Sequence, residues 1–311
     1  WSGNTSCSGF APIWWHPHYT SDLHHTHRFP MRKYWYLGQL LRADRRFVKH
    51  IRQPRPASYR ALLRAHDKSY VEQIMRAQND PVIEKRLGLP LTPAVARRAS
   101  LASSGTLEAA RSALETGLAF NAAGGSHHAH REGGQGFCTF NDAAIASLAL
   151  LDEKLCTNLV VLDLDVHQGD GTATILSTSA NVKTISVHCS ANYPHPKVFS
   201  DHDLEIPPKS NDTDYMKRVH EALELTLSYK PDLVIYNAGV DVHASDRLGH
   251  VHVSDEGLRR RERLVVETMM RAGIALCVVM GGGYDRDIDA LAKRHFVVFE
   301  EGFALHHARR C

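Results

Sequence analysis

The sequence predicts an α/β protein with a mainly parallel central sheet flanked by helices, built as one domain. Two observations lead there. From about residue 118 onward, short β-branched apolar runs alternate with amphipathic segments, the pattern of parallel strands joined by crossover helices. Nothing divides the 311 residues: there is no repeat, no low-complexity linker and no proline-rich stretch longer than Pro54 to Pro56, so 1–311 reads as a single domain. Composition agrees, since 43% hydrophobic and 23% charged residues are ordinary for a folded chain and far from disorder or fibre.

The elements follow in order. Segments 31–48, 66–77 and 93–115 carry apolar residues at helical spacing, so the first third reads as mainly helical. Runs 118–123, 159–166, 182–188, 232–238 and 274–280 are short and apolar and read as buried strands. Between them, 212–229 places Tyr215, Met216, Val219, Leu223 and Leu227 on one helical face. Segment 254–271 opens with Ser254 as a cap and Asp255 and Glu256 in its first turn. In sheets wound this way, ligands sit beyond the carboxyl ends of the strands.

Charge and cysteine usage narrow the function classes. A formal charge of +3, without a basic run, gives no phosphate-tracking surface, so nucleic acid is not an expected partner. No apolar stretch approaches the roughly 18 residues of a membrane span. Cys7, Cys138, Cys156, Cys189, Cys277 and Cys311 form no CxxC pair and are too sparse for a disulfide framework, which points to a reducing, cytoplasmic compartment. The chain opens at Trp1 rather than Met, as one that has been trimmed or has lost a leader would. Of its 21 histidines, His24-His25-Thr26-His27 and His306-His307 read as solvated clusters.

The strand ends carry the chemistry. The run from Leu159 continues into Asp163, Asp165, His167 and Asp170, and alternation puts the first three side chains on one side. Three ionisable groups at one buried strand end need charge compensation, which a shared cation supplies. The run from Asp232 ends in Asn237-Ala238-Gly239-Val240-Asp241. Asp165, His167 and Asp241 then form an Asp, His, Asp set with an open fourth position, as in hydrolytic zinc sites. Asp241-x-His243 repeats the spacing, but His243 reads as a surface-loop residue, and Asp246, His250 and His252 as loop polar residues. Gly124-Gly125-Ser126-His127-His128 offers two histidines suited to general acid and base work, with Asp163 and Asp170 left to fix their tautomers. Taken alone, such a pair reads as a solvated loop; its place after two glycines at a strand end argues otherwise. Gly281-Gly282-Gly283-Tyr284 follows the last strand, where the Tyr284 phenol faces either a packing role or donation to a developing oxyanion.

Together, GGSHHAH, GFCTFND, VVLDLDVHQGDGT, NAGVD and GGGY, in this order across nearly the whole chain, resemble the histone deacetylase family of the arginase/deacetylase superfamily. HRFPMRKY, ending at Tyr34, is similar to the compact branch found in bacteria and class IV enzymes. The resemblance implies zinc on Asp165, His167 and Asp241, with His127 paired to Asp163 and His128 to Asp170. It makes Tyr284 the transition-state tyrosine and sets Phe137, with Gly136 and Gly282, along the substrate channel. It also implies potassium near the backbone of Asp163, Asp165 and His167 with the Ser186 hydroxyl, and a second potassium near the carbonyls of Leu176, Ser179 and Val182. The other channel wall falls in 189–199, where Tyr193 is the candidate.

The function so implied is zinc-dependent hydrolysis of an acetylated or longer-acylated lysine in a protein or peptide, with His128 moving protons and His127 acting through its charge. Three rivals stand beside it. An acetylpolyamine amidohydrolase would use the same site on small amines, and at 311 residues no large insertion restricts access. An arginase-like dimanganese enzyme needs more bridging carboxylates than the strand ends offer. A silent binder of acylated ligands would not need the competent residues that fill each catalytic position.

Overall fold

A computed structural model describes residues 11–24 and 26–308; Trp1, Cys7, Cys311 and His25 lie outside them. Eight strands form one parallel sheet: β1 (Ile13–Trp14), β2 (Ile51–Arg52), β3 (Leu118–Asn121), β4 (Leu159–Asp163), β5 (Val182–Cys189), β6 (His202–Ile206), β7 (Leu233–Asn237) and β8 (Ala275–Val279). Their order is β2-β1-β3-β8-β7-β4-β5-β6. The helices are α1 (Lys33–Ala43), α2 (Tyr59–Leu62), α3 (Lys68–Arg76), α4 (Pro81–Leu87), α5 (Pro93–Thr116), α6 (Asp142–Asp152), α7 (Asp170–Leu176), α8 (Asp212–Ser228), α9 (Asp255–Ala272) and α10 (Ile288–Ala308). None among the described residues is long and apolar enough to cross a membrane.

Alternation along the strands makes two cores, one per face. Val160, Leu162, Val234, Tyr236, Leu276 and Val278 join the core that includes α8 and α9 residues. Leu159, Val161, Leu233, Ile235, Ala275 and Cys277 join the one that includes α5 and α6 residues. Pairing in register puts Asn121, Val279, Asn237, Asp163 and Ser186 in one row, so the loops after β3, β4, β7 and β8 leave the sheet at one level.

The expected helices and strands occur with shifted ends. Segment 93–115 becomes α5, capped by Thr92, whose hydroxyl accepts from the Val95 N–H, and ended by Gly117 at φ +83°. The helix expected over 31–48 stops at Ala43, where Asp44 turns extended and grips Arg46 through its backbone and guanidinium. The strand expected to reach Val166 stops at Asp163, because side chains take over the N–H groups beyond it. Asp163 Oδ1 accepts from the Asp165 N–H at 3.1 Å, and Asp165 Oδ1 from the His167 N–H at 3.0 Å. These turns, and not strand alternation, gather Asp163, Asp165 and His167. Helices α6 and α10, and the short or edge strands β1, β2 and β6, were not expected from the pattern.

Candidate active site and metal centre

Two carboxylates and an imidazole converge at the sheet's carboxyl edge. His167 Nδ1 lies 3.1 Å from both Asp165 Oδ1 and Asp241 Oδ2, and one donor atom from each of the three falls within 4.8 Å of the others. All three residues are buried. The Gly282 N–H donates to Asp165 Oδ2 at 2.6 Å and the Val166 N–H to Asp241 Oδ1 at 2.9 Å, fixing both carboxylates. A Cβ at Gly282 would strike Asp241 Oδ2, so this loop approaches the set only because it has none. Burial, together with the Asp165 charge, pushes the Asp241 carboxyl up to about 7. No lysine or arginine among the described residues pairs with either acid. An Asp, His, Asp donor set under that strain fits a divalent cation such as zinc.

Two histidine dyads flank it. His127 Nδ1 meets Asp163 Oδ2 at 2.6 Å, while Asp163 Oδ1 accepts from Asn237 Nδ2 at 2.9 Å. His128 Nδ1 meets Asp170 Oδ1 at 2.6 Å. Asp170 Oδ2 is held by His130 Nε2 at 3.0 Å and Gln135 Nε2 at 2.7 Å, contacts the sequence did not signal. Burial works against charge on His127, but Asp163 and Asp165 outweigh it and hold the imidazole at about 9. His128, buried and 4.0 Å ring to ring from His127, is pushed down to about 4 despite Asp170. Asp170 opens α7.

Tyr284 is buried, its ring 6.1 Å from the His167 ring and 6.0 Å from Phe137. Burial, then the Asp165 and Asp241 charges, raise its phenol well above the ordinary range, so it remains a donor. Its hydroxyl bonds no protein group among the described residues. Its backbone is tied instead, the N–H donating to Asp246 Oδ2 at 2.6 Å and the carbonyl accepting from Arg247 Nε at 2.6 Å. Lys33, fully buried, donates to the carbonyls of Gly281 and Gly283, at 3.0 and 3.4 Å.

Above the site opens a cleft of about 330 Å³ whose lining includes Gly136, Phe137, Tyr193, Leu248 and Tyr284. Phe137 holds φ +67°, its N–H bonded to the Leu87 carbonyl at 2.8 Å. Tyr193 stands edge-on to His128 at 4.8 Å, so the residue chosen in 189–199 does line the cleft. One loop reading changes. His243 is buried, bonding Ser245 and Asp255 away from the metal set. Asp246 and His250 lie in loops as expected, Asp246 half-buried and anchoring the Tyr284 backbone, His250 lining the cleft. His252 is exposed as expected, and His27 abuts Phe137 at 6.1 Å. Ser186 Oγ bonds His188 Nδ1 at 2.9 Å, one strand over from Asp163. At the second expected potassium position, the Leu176 and Ser179 carbonyls accept the N–H groups of Ser179 and Val182.

Comparison with known proteins gives the family and the fold. The histone deacetylase domain model matches residues 27–299. An uncharacterized protein of Picosynechococcus sp. is 41% identical over 301 residues, covering 96% of this chain and 98% of that one. Among solved structures, a histone deacetylase homologue from Aquifex aeolicus superposes with TM-score 0.79 at 23% identity, over 94% of this chain and 84% of that one. An acetylpolyamine aminohydrolase from Burkholderia pseudomallei superposes with TM-score 0.76 at 23% identity, over 95% and 99%. Both likenesses are of fold, and they match this sheet about equally. The domain match, across most of the chain, carries the conclusion: this protein belongs to the histone deacetylase family and is a hydrolase of the deacetylase class.

Proposed function

We propose that the protein is a zinc-dependent deacylase acting on the ε-amide of acetylated or longer-acylated lysine in proteins or peptides. The observation that carries this is the buried Asp165, His167 and Asp241 set at the base of a narrow cleft, with both dyads and the Tyr284 ring around it. Zinc held by those three residues supplies Lewis acidity, polarising the amide carbonyl and lowering the pKa of water. His128, its Nδ1 proton held by Asp170, presents Nε2 to take the proton of the attacking water and to return one to the leaving amine. His127, bonded to Asp163, acts through its charge to favour the anion that develops. Tyr284 donates its phenol to that oxyanion, and the aromatic rings of Phe137 and Tyr193 flank the lysine stem and exclude water. A potassium ion near Asp163, Asp165, His167 and Ser186 would add a supporting cation beneath the loop.

The test is a panel of lysine peptides with neutral flanks, acylated from acetyl to myristoyl, beside acetylated polyamines, assayed with zinc-reconstituted protein. Turnover of at least one acyl-lysine peptide is expected. Hydrolysis of acetylpolyamines alone, or of nothing in the panel, rejects the reading.

A further inference from the structure

The mouth of the cleft carries a charge pattern that the chemistry at its base does not require. No carboxylate lines the cleft among the described residues, while Arg28 and His250 do, both exposed. The Arg28 guanidinium has no ion-pair or hydrogen-bond partner among the described residues; only its backbone carbonyl is engaged, accepting from Arg247 Nη2 at 3.1 Å. Two acids of neighbouring loops are already committed. Asp246 is half-buried, its two oxygens accepting from the Leu248 and Tyr284 N–H groups. Glu132 pairs with Arg86 at 3.3 Å. The rim is also built firmly. Asn192 Nδ2 donates to the carbonyls of Leu248 and Gly249, at 2.6 and 3.0 Å, tying the Tyr193 wall to the His250 segment. His250 sits at φ +61°, and its carbonyl accepts from the Lys209 N–H at 2.7 Å.

From this we infer that the enzyme selects acyl-lysines with negative charge beside the modified residue, and that Arg28 is a specificity-determining residue that rejects polycationic amines. The inference rests on the deacylase reading above and names its substrate class. An acylated polyamine brings free ammonium groups to the mouth, where they meet a guanidinium and no carboxylate. An aspartate or glutamate next to the acyl-lysine gives Arg28 the partner it lacks. Partly desolvated by the bound peptide, such a pair contributes about fivefold in affinity or in kcat/KM, and salt weakens it.

The experiment compares acetyl-lysine peptides flanked by Asp, by Ala or by Lys, together with N1-acetylspermidine, which keeps two free ammonium groups, using the zinc-loaded full chain at low and high salt. The expected order of kcat/KM is Asp, then Ala, then Lys, with about fivefold between neighbours and N1-acetylspermidine poorest. The order should compress at high salt and invert between Asp and Lys in Arg28→Glu. Binding of the same peptides, fluorescently labelled, reads the preference without turnover. Turnover of all three peptides at equal kcat/KM, or an unchanged order in Arg28→Glu, overturns the inference and leaves the deacylase reading standing. No turnover of any peptide, with binding still ordered Asp over Lys, overturns the deacylase reading and keeps the charge preference. Equal binding of all three overturns the preference itself.

Discussion

His127 and His128 are neighbours in sequence, each with Nδ1 2.6 Å from a buried carboxylate, yet burial and charge drive them apart. His127 has a second acid close by, Asp165 Oδ1 at 3.8 Å from its Nε2, and is held at about 9. His128 has one acid, already shared with His130 and Gln135, and faces the charged His127; it falls to about 4. A hydrogen bond to a carboxylate therefore does not set a histidine's charge state here. The count of acids against other cations around the ring does, and it divides the labour into a fixed charge and a proton acceptor.

The largest expected effect breaks the comparison by removing its common neighbour. Asp241→Ala or Asp165→Ala should abolish both metal retention and hydrolysis, read by metal analysis after dialysis and by peptide turnover. Stoichiometric zinc with full activity in Asp241→Ala would remove the site. Next in size, the two dyads should separate. His128→Ala should lower kcat by about a thousandfold or more while the protein still binds zinc and a hydroxamate, and His127→Ala should cost roughly tenfold to a hundredfold. Equal losses would mean that charge state does not divide the roles. Loss of metal in His128→Ala would make that residue a ligand.

Tyr284→Phe comes third. If the phenol donates only as charge develops, kcat should fall roughly a hundredfold, with little change in KM or thermal stability. A packing tyrosine predicts near-normal kcat and at most about 1 kcal/mol of lost stability. The Asp246 anchor sharpens the test, because it holds the Tyr284 backbone in either variant. A change in kcat therefore reports the hydroxyl and not a displaced loop.

What was legible in the sequence follows from how local each contact is. Asp165 and His167 are two residues apart, and the two dyad histidines are adjacent, so short motifs place them once a strand end is recognised. Asp241 comes from the next strand inward, and parallel register brings it level. The sheet was legible for the same reason: β4, β7 and β8 are buried along their whole length and read as nearly continuous apolar runs, and β5 is marked by its β-branched residues. Contacts that join distant segments were not. Lys33 meets Gly281 across 248 residues, and Gln135 meets Asp170 across 35, with nothing in either neighbourhood to announce it. Helix α6 was hidden because its DAAIASLALLD sequence is apolar nearly all round, so it shows no stripe. Strand β6, HDLEI, was hidden because an edge strand with exposed polar positions resembles a loop.

A third buried histidine isolates what burial does when no acid bonds the ring. His66 is 1% exposed, and both ring nitrogens have neutral backbone partners: Nδ1 lies 2.9 Å from the His130 carbonyl, and Nε2 accepts from the Asn141 N–H at 2.9 Å. That pairing suits only the neutral ring, because a second proton would point an N–H at an N–H. Burial accordingly holds the imidazole down at about 4. In the unfolded chain the same group titrates near the ordinary value of about 6.5, so between pH 6.5 and 4 the unfolded state binds the extra proton. The stabilisation is thus fully present above pH 6.5 and is lost as pH falls toward 4, by about 1.4 kcal/mol per pH unit and about 3 kcal/mol across the window. His66→Gln should be less stable than wild type at pH 7, and the gap should narrow by about that amount at pH 4, read from urea unfolding at a series of pH values. Parallel pH profiles for the two proteins would mean that the folded ring carries the proton, and that backbone partners can do for His66 what Asp163 and Asp165 do for His127.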